Sequence, residues 1–155
     1  MLFRSWVRLH LMVNHFPIIL GIAGTLAGVA ALFTRSRAVW QYAAVTVVLA
    51  GLTAPVAYVS GVRAEETAEE FWYVQHEEVE EHEETGLWAL IALIAAGVAA
   101  GVSLWKPTSA VRGVFLAVAF VAMVVTAYSA LEGGEIVHDS PALERAPGTA
   151  SPGGS

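Results

Sequence analysis

The chain contains no cysteine. That excludes disulfides, iron–sulfur clusters, thiolate metal sites and a cysteine nucleophile, so any metal would have to be held by His, Glu, Asp, Met or Tyr. Charge is scarce too: 14% of the 155 residues are Asp, Glu, Lys or Arg, against about 25% in an ordinary soluble domain. Eight basic residues face fourteen acids, so there is no cationic stripe for a nucleic acid. No nucleotide-binding glycine motif and no catalytic-triad pattern is present.

What is abundant is apolar. Hydrophobic residues make up 56% of the chain, and they cluster in four runs, 11–33, 39–62, 87–105 and 112–131. About 20 mostly apolar residues suffice to cross a hydrocarbon core as a helix. The runs predict an all-α integral membrane protein, a four-helix up-down bundle spanning residues 1–140, with a disordered tail over 141–155. Arg4 and Arg8 precede the first run as in a signal peptide, but Thr34-Arg35-Ser36-Arg37 follows it without an A-x-A-like site, so the run is read as retained.

Charge is segregated among the connections. Those after the first and third runs are short and basic, with Arg35, Arg37, Lys106 and Arg112 in or beside them. The connection after the second run carries ten glutamates, at 65, 66, 69, 70, 77, 78, 80, 81, 83 and 84. Ala64, Ala68, Phe71, Gln75, Val79 and His82 recur at helical steps within it. This predicts an amphipathic acidic helix lying across the bundle end, turning near Gly86 into the third span; one long helix through Trp105 is the alternative. Gly133-Gly134 is expected to break the chain after the fourth span.

Up-down threading then puts all fourteen acids and all five histidines on one side of the bilayer. Lys and Arg near the span ends are evenly divided, but the short basic connections flank their spans more tightly. The acidic, histidine-bearing face is therefore expected to be periplasmic, in a bacterial inner membrane. Gly24-x3-Gly28 and Gly97-x3-Gly101 offer close helix contacts, although glycine-rich spans also produce such spacings by chance.

The candidate ligands lie on that face. His15 stands beside Pro17 at the start of the first span, where Asn14 could cap the helix. If the helix starts nearer Ser5, Pro17 kinks it and frees backbone groups beside His15. His82 falls on the apolar stripe, facing the bundle. His138 follows the fourth span, and Glu65 and Glu66 end the second. Glu135-x-x-His138 has di-iron spacing, but only one copy is present. Two cofactor readings follow. His15 and His82 could be axial ligands of a haem b between the first and third spans. Alternatively, His15, His82, His138 and Glu66 could hold a non-haem Fe, Zn or Cu ion. His10, by contrast, reads as an ordinary surface histidine.

Four segments occur in order: "NHFPIILG", "SGVRAEETAEE", "HEEVEEHEETG" and "GGEIVH". Together they resemble the small bacterial four-helix membrane proteins of domain-of-unknown-function family 2231 and its close relatives, over about residues 10–138. His15, Phe16, Pro17 and Ile18 match that family's His-Phe-Pro-Ile opening; Gly61, Ala64, Glu65 and Glu66 match a Gly-x-x-Ala-Glu-Glu turn. Gly133, Gly134, Ile136 and His138 match a Gly-Gly-x-Ile-x-His ending. A His-Glu pair is matched by His76-Glu77 or by His82-Glu83, and the distance to the third span favours His82. The resemblance implies mainly architecture, with haem as a possibility. The expected function is a redox-active metal centre at one membrane face, serving electron transfer or a redox complex, with membrane subunits or a basic periplasmic redox protein as partners. A cofactor-free accessory subunit is the rival. Ion transport is disfavoured, because no charge lies within the spans away from their ends.

Overall fold

The computed structural model describes residues 3–68 and 76–138, with side chains described at 6, 8–64 and 82–132. Five helical segments follow one another: α1 (Phe3–Val13), α2 (His15–Thr34), α3 (Arg37–Ala68), α4 (His76–Trp105) and α5 (Ser109–His138). Four stretches are long and apolar enough to cross a membrane: Arg8–Thr34, Arg37–Ala64, His82–Trp105 and Ser109–Glu132. The expected all-helical four-span bundle is what forms. α2 packs on α3, α3 on α4 and α4 on α5, and a narrower α2–α5 seam closes the ring. α1 leans mainly on α3.

The packing is inverted relative to a water-soluble domain. Ala44, Ala50, Ala96, Ala100 and Ala122 are fully buried, while Leu26 and Phe33 are 64% and 82% exposed. Small residues inside let backbones approach, and large apolar residues outside suit a lipid solvent. The tightest approach pairs α3 with α4. A Cβ added to Gly51 would stand 2.9 Å from the Leu93 carbonyl oxygen and 3.2 Å from Gly97 Cα. Gly24 presses similarly on α3, where a Cβ would meet the Ala43 carbonyl oxygen at 3.0 Å. Gly101 is different, because its nearest neighbour to such an atom is Val48 Cγ2 at 4.0 Å. Gly24, Gly28 and Gly97 therefore make seams; Gly101 does not.

The basic connections are tight turns. Arg35 adopts a left-handed conformation (φ 51°) and closes α2 by donating its N–H to the Ala31 carbonyl at 3.0 Å. Ser36 and Thr108 hydroxyls accept from Val39 N and Val111 N at 3.4 and 3.3 Å, opening α3 and α5.

Three local expectations are settled or corrected. For the first span, a helix does start at His15 with Asn14 at the capping position and Pro17 in its first turn, but Asn14 makes no side-chain cap bond and a further helix, α1, precedes it from Phe3. Residues 76–84 form the first turns of α4, continuous with the span through Gly86, so over 76–105 the alternative of one long helix through Trp105 is what forms, and this part of the acidic segment is not a separate helix. Its glutamates are strong helix formers, and nothing in 76–105 breaks the ladder. Residues 69–75 lie outside the described residues. Finally, α5 passes through Gly133-Gly134 to His138; glycine weakens a helix by only about 1 kcal/mol per residue and does not by itself end it. The expected tail, 141–155, lies outside the described residues.

Candidate functional site

The interior opens at the histidine-bearing end. There α2 and α4 stand diagonally across the bundle, and a cavity of about 380 Å³ lies between them. His15 and Asn14 line it from the start of α2, and His82 and Gly86 from α4. Ala54 and Ala57 of α3 and Thr126 and Ser129 of α5 form the side walls. Leu93 closes the inner end, packed with Ala50 and Ala54 and flanked by Met123. All four spans thus contribute, and the two histidines expected to share a site do line one cavity.

Each of these imidazoles is tied to the backbone through one nitrogen. His15 Nδ1 lies 3.1 Å from the Leu11 carbonyl, one turn back across the Asn14 interruption. With the proton on Nδ1, Nε2 presents its lone pair. His82 hydrogen-bonds the Ser129 carbonyl. Its Nδ1 is buried without a hydrogen-bond partner, so the bond to Ser129 comes from Nε2. A backbone carbonyl holding one ring nitrogen is how ligating histidines are commonly oriented.

A polar cluster flanks His82. Thr85 Oγ1 donates to Glu132 Oε2 at 2.6 Å, with Ser129 Oγ at 3.4 Å and the His82 carbonyl at 3.1 Å. A hydroxyl has one proton, and the short contact to a carboxylate is the strongest of the three. His82 and Thr85 on α4, and Ser129 and Glu132 on α5, are each spaced by three residues, so each pair shares one helix face. Glu132 also lies within electrostatic reach of His82. Asn14 sits at the capping position of α2 but makes no side-chain capping bond, and its buried Oδ1 has no partner. Beside the cavity the described chain thus leaves two buried polar atoms, Asn14 Oδ1 and His82 Nδ1, unsatisfied.

His10 was expected at the surface and is half-buried instead. Its Nδ1 lies 3.0 Å from the Ala57 carbonyl and 3.2 Å from Ser60 Oγ. Ser60 Oγ itself donates to Ala57 at 2.9 Å. His10 rests on Gly61, where an added Cβ would stand 3.0 Å from the ring, and it is in electrostatic range of both His82 and His15. Arg63 stacks on Trp6, 4.8 Å from the ring centroid, and pins α1 to the same end of α3.

His138 ends α5 and Glu66 lies near the end of α3, but their side chains are outside the described residues. The side chains of Glu65 and His76 are outside them as well. No group of three or more His, Asp or Glu residues able to hold a metal occurs among the described residues.

Comparison of the chain with protein-family models, curated proteins and solved structures gives no match. The functional reading therefore stands on the chemistry of the cavity.

Proposed function

We propose that this is a multi-pass membrane protein that binds a redox-active metal centre in the cavity between α2 and α4, with His15 and His82 as ligands. The observation that carries the reading is that two imidazoles from diagonal helices line one cavity, His15 oriented through Nδ1 by the Leu11 carbonyl and His82 with an Nδ1 that no group of the described chain satisfies. At about 380 Å³ the cavity is within the rough 300–1,000 Å³ range of small-ligand sites.

Of the two centres considered, the donor set suits haem b better. Haem iron takes two axial protein ligands, and two imidazoles are at hand. A non-haem Fe, Zn or Cu ion needs at least a third, which would have to come from Glu66 or His138. A centre of this kind supplies one-electron chemistry, and its protein environment sets the potential. His15 and His82 would hold it, Thr85 and Glu132 would fix the α4–α5 wall, and Leu93 would close the inner end. The acidic, histidine-bearing face is read as periplasmic in a bacterial inner membrane, where its carboxylates would attract a basic redox protein. The short motifs that resemble domain-of-unknown-function family 2231 fall on the same face.

Purification of the full chain in mild detergent, followed by an absorption spectrum and metal analysis, tests the proposal. A Soret band lost in His15→Ala and in His82→Ala supports haem. Stoichiometric metal without a Soret band supports the non-haem centre. Protein lacking both after expression with haem precursor and metal supplied would overturn the proposal and leave the cofactor-free accessory subunit.

A further inference from the structure

The face opposite the cavity carries cations with no counter-charge. Arg35, Arg37, Lys106 and Arg112 gather there, and no Asp or Glu occurs in residues 1–64 or 85–131. The acid nearest to Arg112 along its own helix is Glu132, twenty residues on, or roughly 30 Å at 1.5 Å per residue. No carboxylate of this chain's spans or basic connections can neutralise Arg112.

Arg112 is nevertheless held in place. Its Cζ lies 4.8 Å from the ring centroid of Trp40, and its Nε is buried without a hydrogen-bond partner. Trp40 is only 3% exposed and is fixed edge-on against Phe115, with centroids 5.4 Å apart at 88°. Its Nε1 is also buried and unpartnered. The stacking holds a half-buried guanidinium in one place, with its Nε turned into the chain. A half-buried charge without a counter-charge is costly, and an anion from outside the chain would supply one.

We propose that Arg112, seated on Trp40, binds the phosphate of an anionic phospholipid headgroup. Trp105, 78% exposed, places this end of the bundle at the level of the headgroups, where tryptophan collects. Lys106 caps the neighbouring ring, its Nζ 4.9 Å from the Trp105 centroid. The guanidinium fork matches phosphate oxygens in pairs. Arg35, Arg37 and Lys106 add a positive potential that favours an anionic over a zwitterionic lipid.

The test uses the full-length protein in mild detergent, supplemented with phosphatidylglycerol, phosphatidylcholine or inorganic phosphate, with lipid retention read by native mass spectrometry and Tm by thermal unfolding. Phosphatidylglycerol is expected to be retained and to raise Tm, and phosphatidylcholine to do neither. Arg112→Gln should lower retention roughly tenfold, the scale of a lost charge-assisted contact. Arg112→Lys, which keeps the charge and the fold but not the fork, should also lower it. The double variant Arg35→Gln/Arg37→Gln should lose less than Arg112→Gln. Retention unchanged in Arg112→Lys, or lost equally in the Arg35/Arg37 variant, overturns the site in favour of a diffuse basic surface. Equal stabilisation by inorganic phosphate overturns the lipid as its source.

Discussion

Thr85 donates its hydroxyl to Glu132 Oε2 at 2.6 Å, joining α4 to α5 beside the histidine-lined cavity. The bond matters because, apart from the contacts of Thr85 and His82 to Ser129, the two helices meet largely through apolar contacts that lipid can imitate. Hydrogen bonds to charged groups are worth about 1.5–3 kcal/mol in water, and interhelical ones in bilayers average about 0.6. Thr85→Val, which keeps shape and removes the donor, is therefore expected to cost roughly 1 kcal/mol. A double-mutant cycle with Glu132→Gln, followed by unfolding in detergent, should return a coupling of similar size. Additive effects would show that the contact contributes nothing.

The glycine seams make a sharper steric prediction. At Gly51 a methyl group would meet backbone atoms of α4 that cannot rotate away, the Leu93 carbonyl oxygen at 2.9 Å and Gly97 Cα at 3.2 Å. Gly51→Ala should destabilise by about 1–3 kcal/mol, the usual cost of overpacking. Gly101→Ala should be neutral or slightly stabilising, since only Val48 Cγ2 comes within 4.0 Å and alanine is the better helix former. Thermal unfolding of both variants in one detergent decides it.

His10 locks α1 onto α3 through the Ala57 carbonyl and the Ser60 hydroxyl. Replacement by leucine keeps bulk and removes the hydrogen bonds, at about 1 kcal/mol, or about fivefold in the population of the opened segment. Limited proteolysis should cut within residues 3–14 about fivefold faster in His10→Leu. Cutting at an unchanged rate would mean that the Arg63–Trp6 stack alone holds the segment.

The spans were legible because twenty-residue apolar runs have few other uses, and the common face of the histidines and acids follows from an even number of crossings. The sharing of one cavity by His15 and His82 was also within reach: one opens the first span, the other falls on the apolar stripe leading into the third, and parallel spans put them at similar depth. His10 was missed because its burial depends on the helix running back to Phe3, and an Asn-His-Phe-Pro stretch reads as a start at least as well as an interruption. Glu132 was missed for the opposite reason. A double glycine after it suggests a helix end, yet α5 continues, so Glu132 sits on a helix face beside His82 and not in a tail. For the Gly51–Gly97 approach, the Gly97-x3-Gly101 spacing pointed to Gly97, but nothing within α4 names Gly51 of α3 as its partner.

The cavity itself can be closed without touching a ligand. Ala89 lines it from α4 and is 8% exposed. Ala89→Leu adds three carbons to the wall, leaving His15, His82, Thr85 and Glu132 in place. If the cavity is unfilled space, the larger side chain should be accommodated and should raise stability by up to about 1 kcal/mol, as cavity-filling substitutions commonly do. If the cavity holds a metal centre, the same substitution should lower the cofactor-to-protein ratio several-fold while far-UV circular dichroism stays helical. Measuring the ratio and the Tm on one preparation separates the cases. A lower ratio with intact helicity assigns the cavity as the binding site, whereas an unchanged ratio in a folded variant places the bound centre elsewhere, even if His15→Ala removes it.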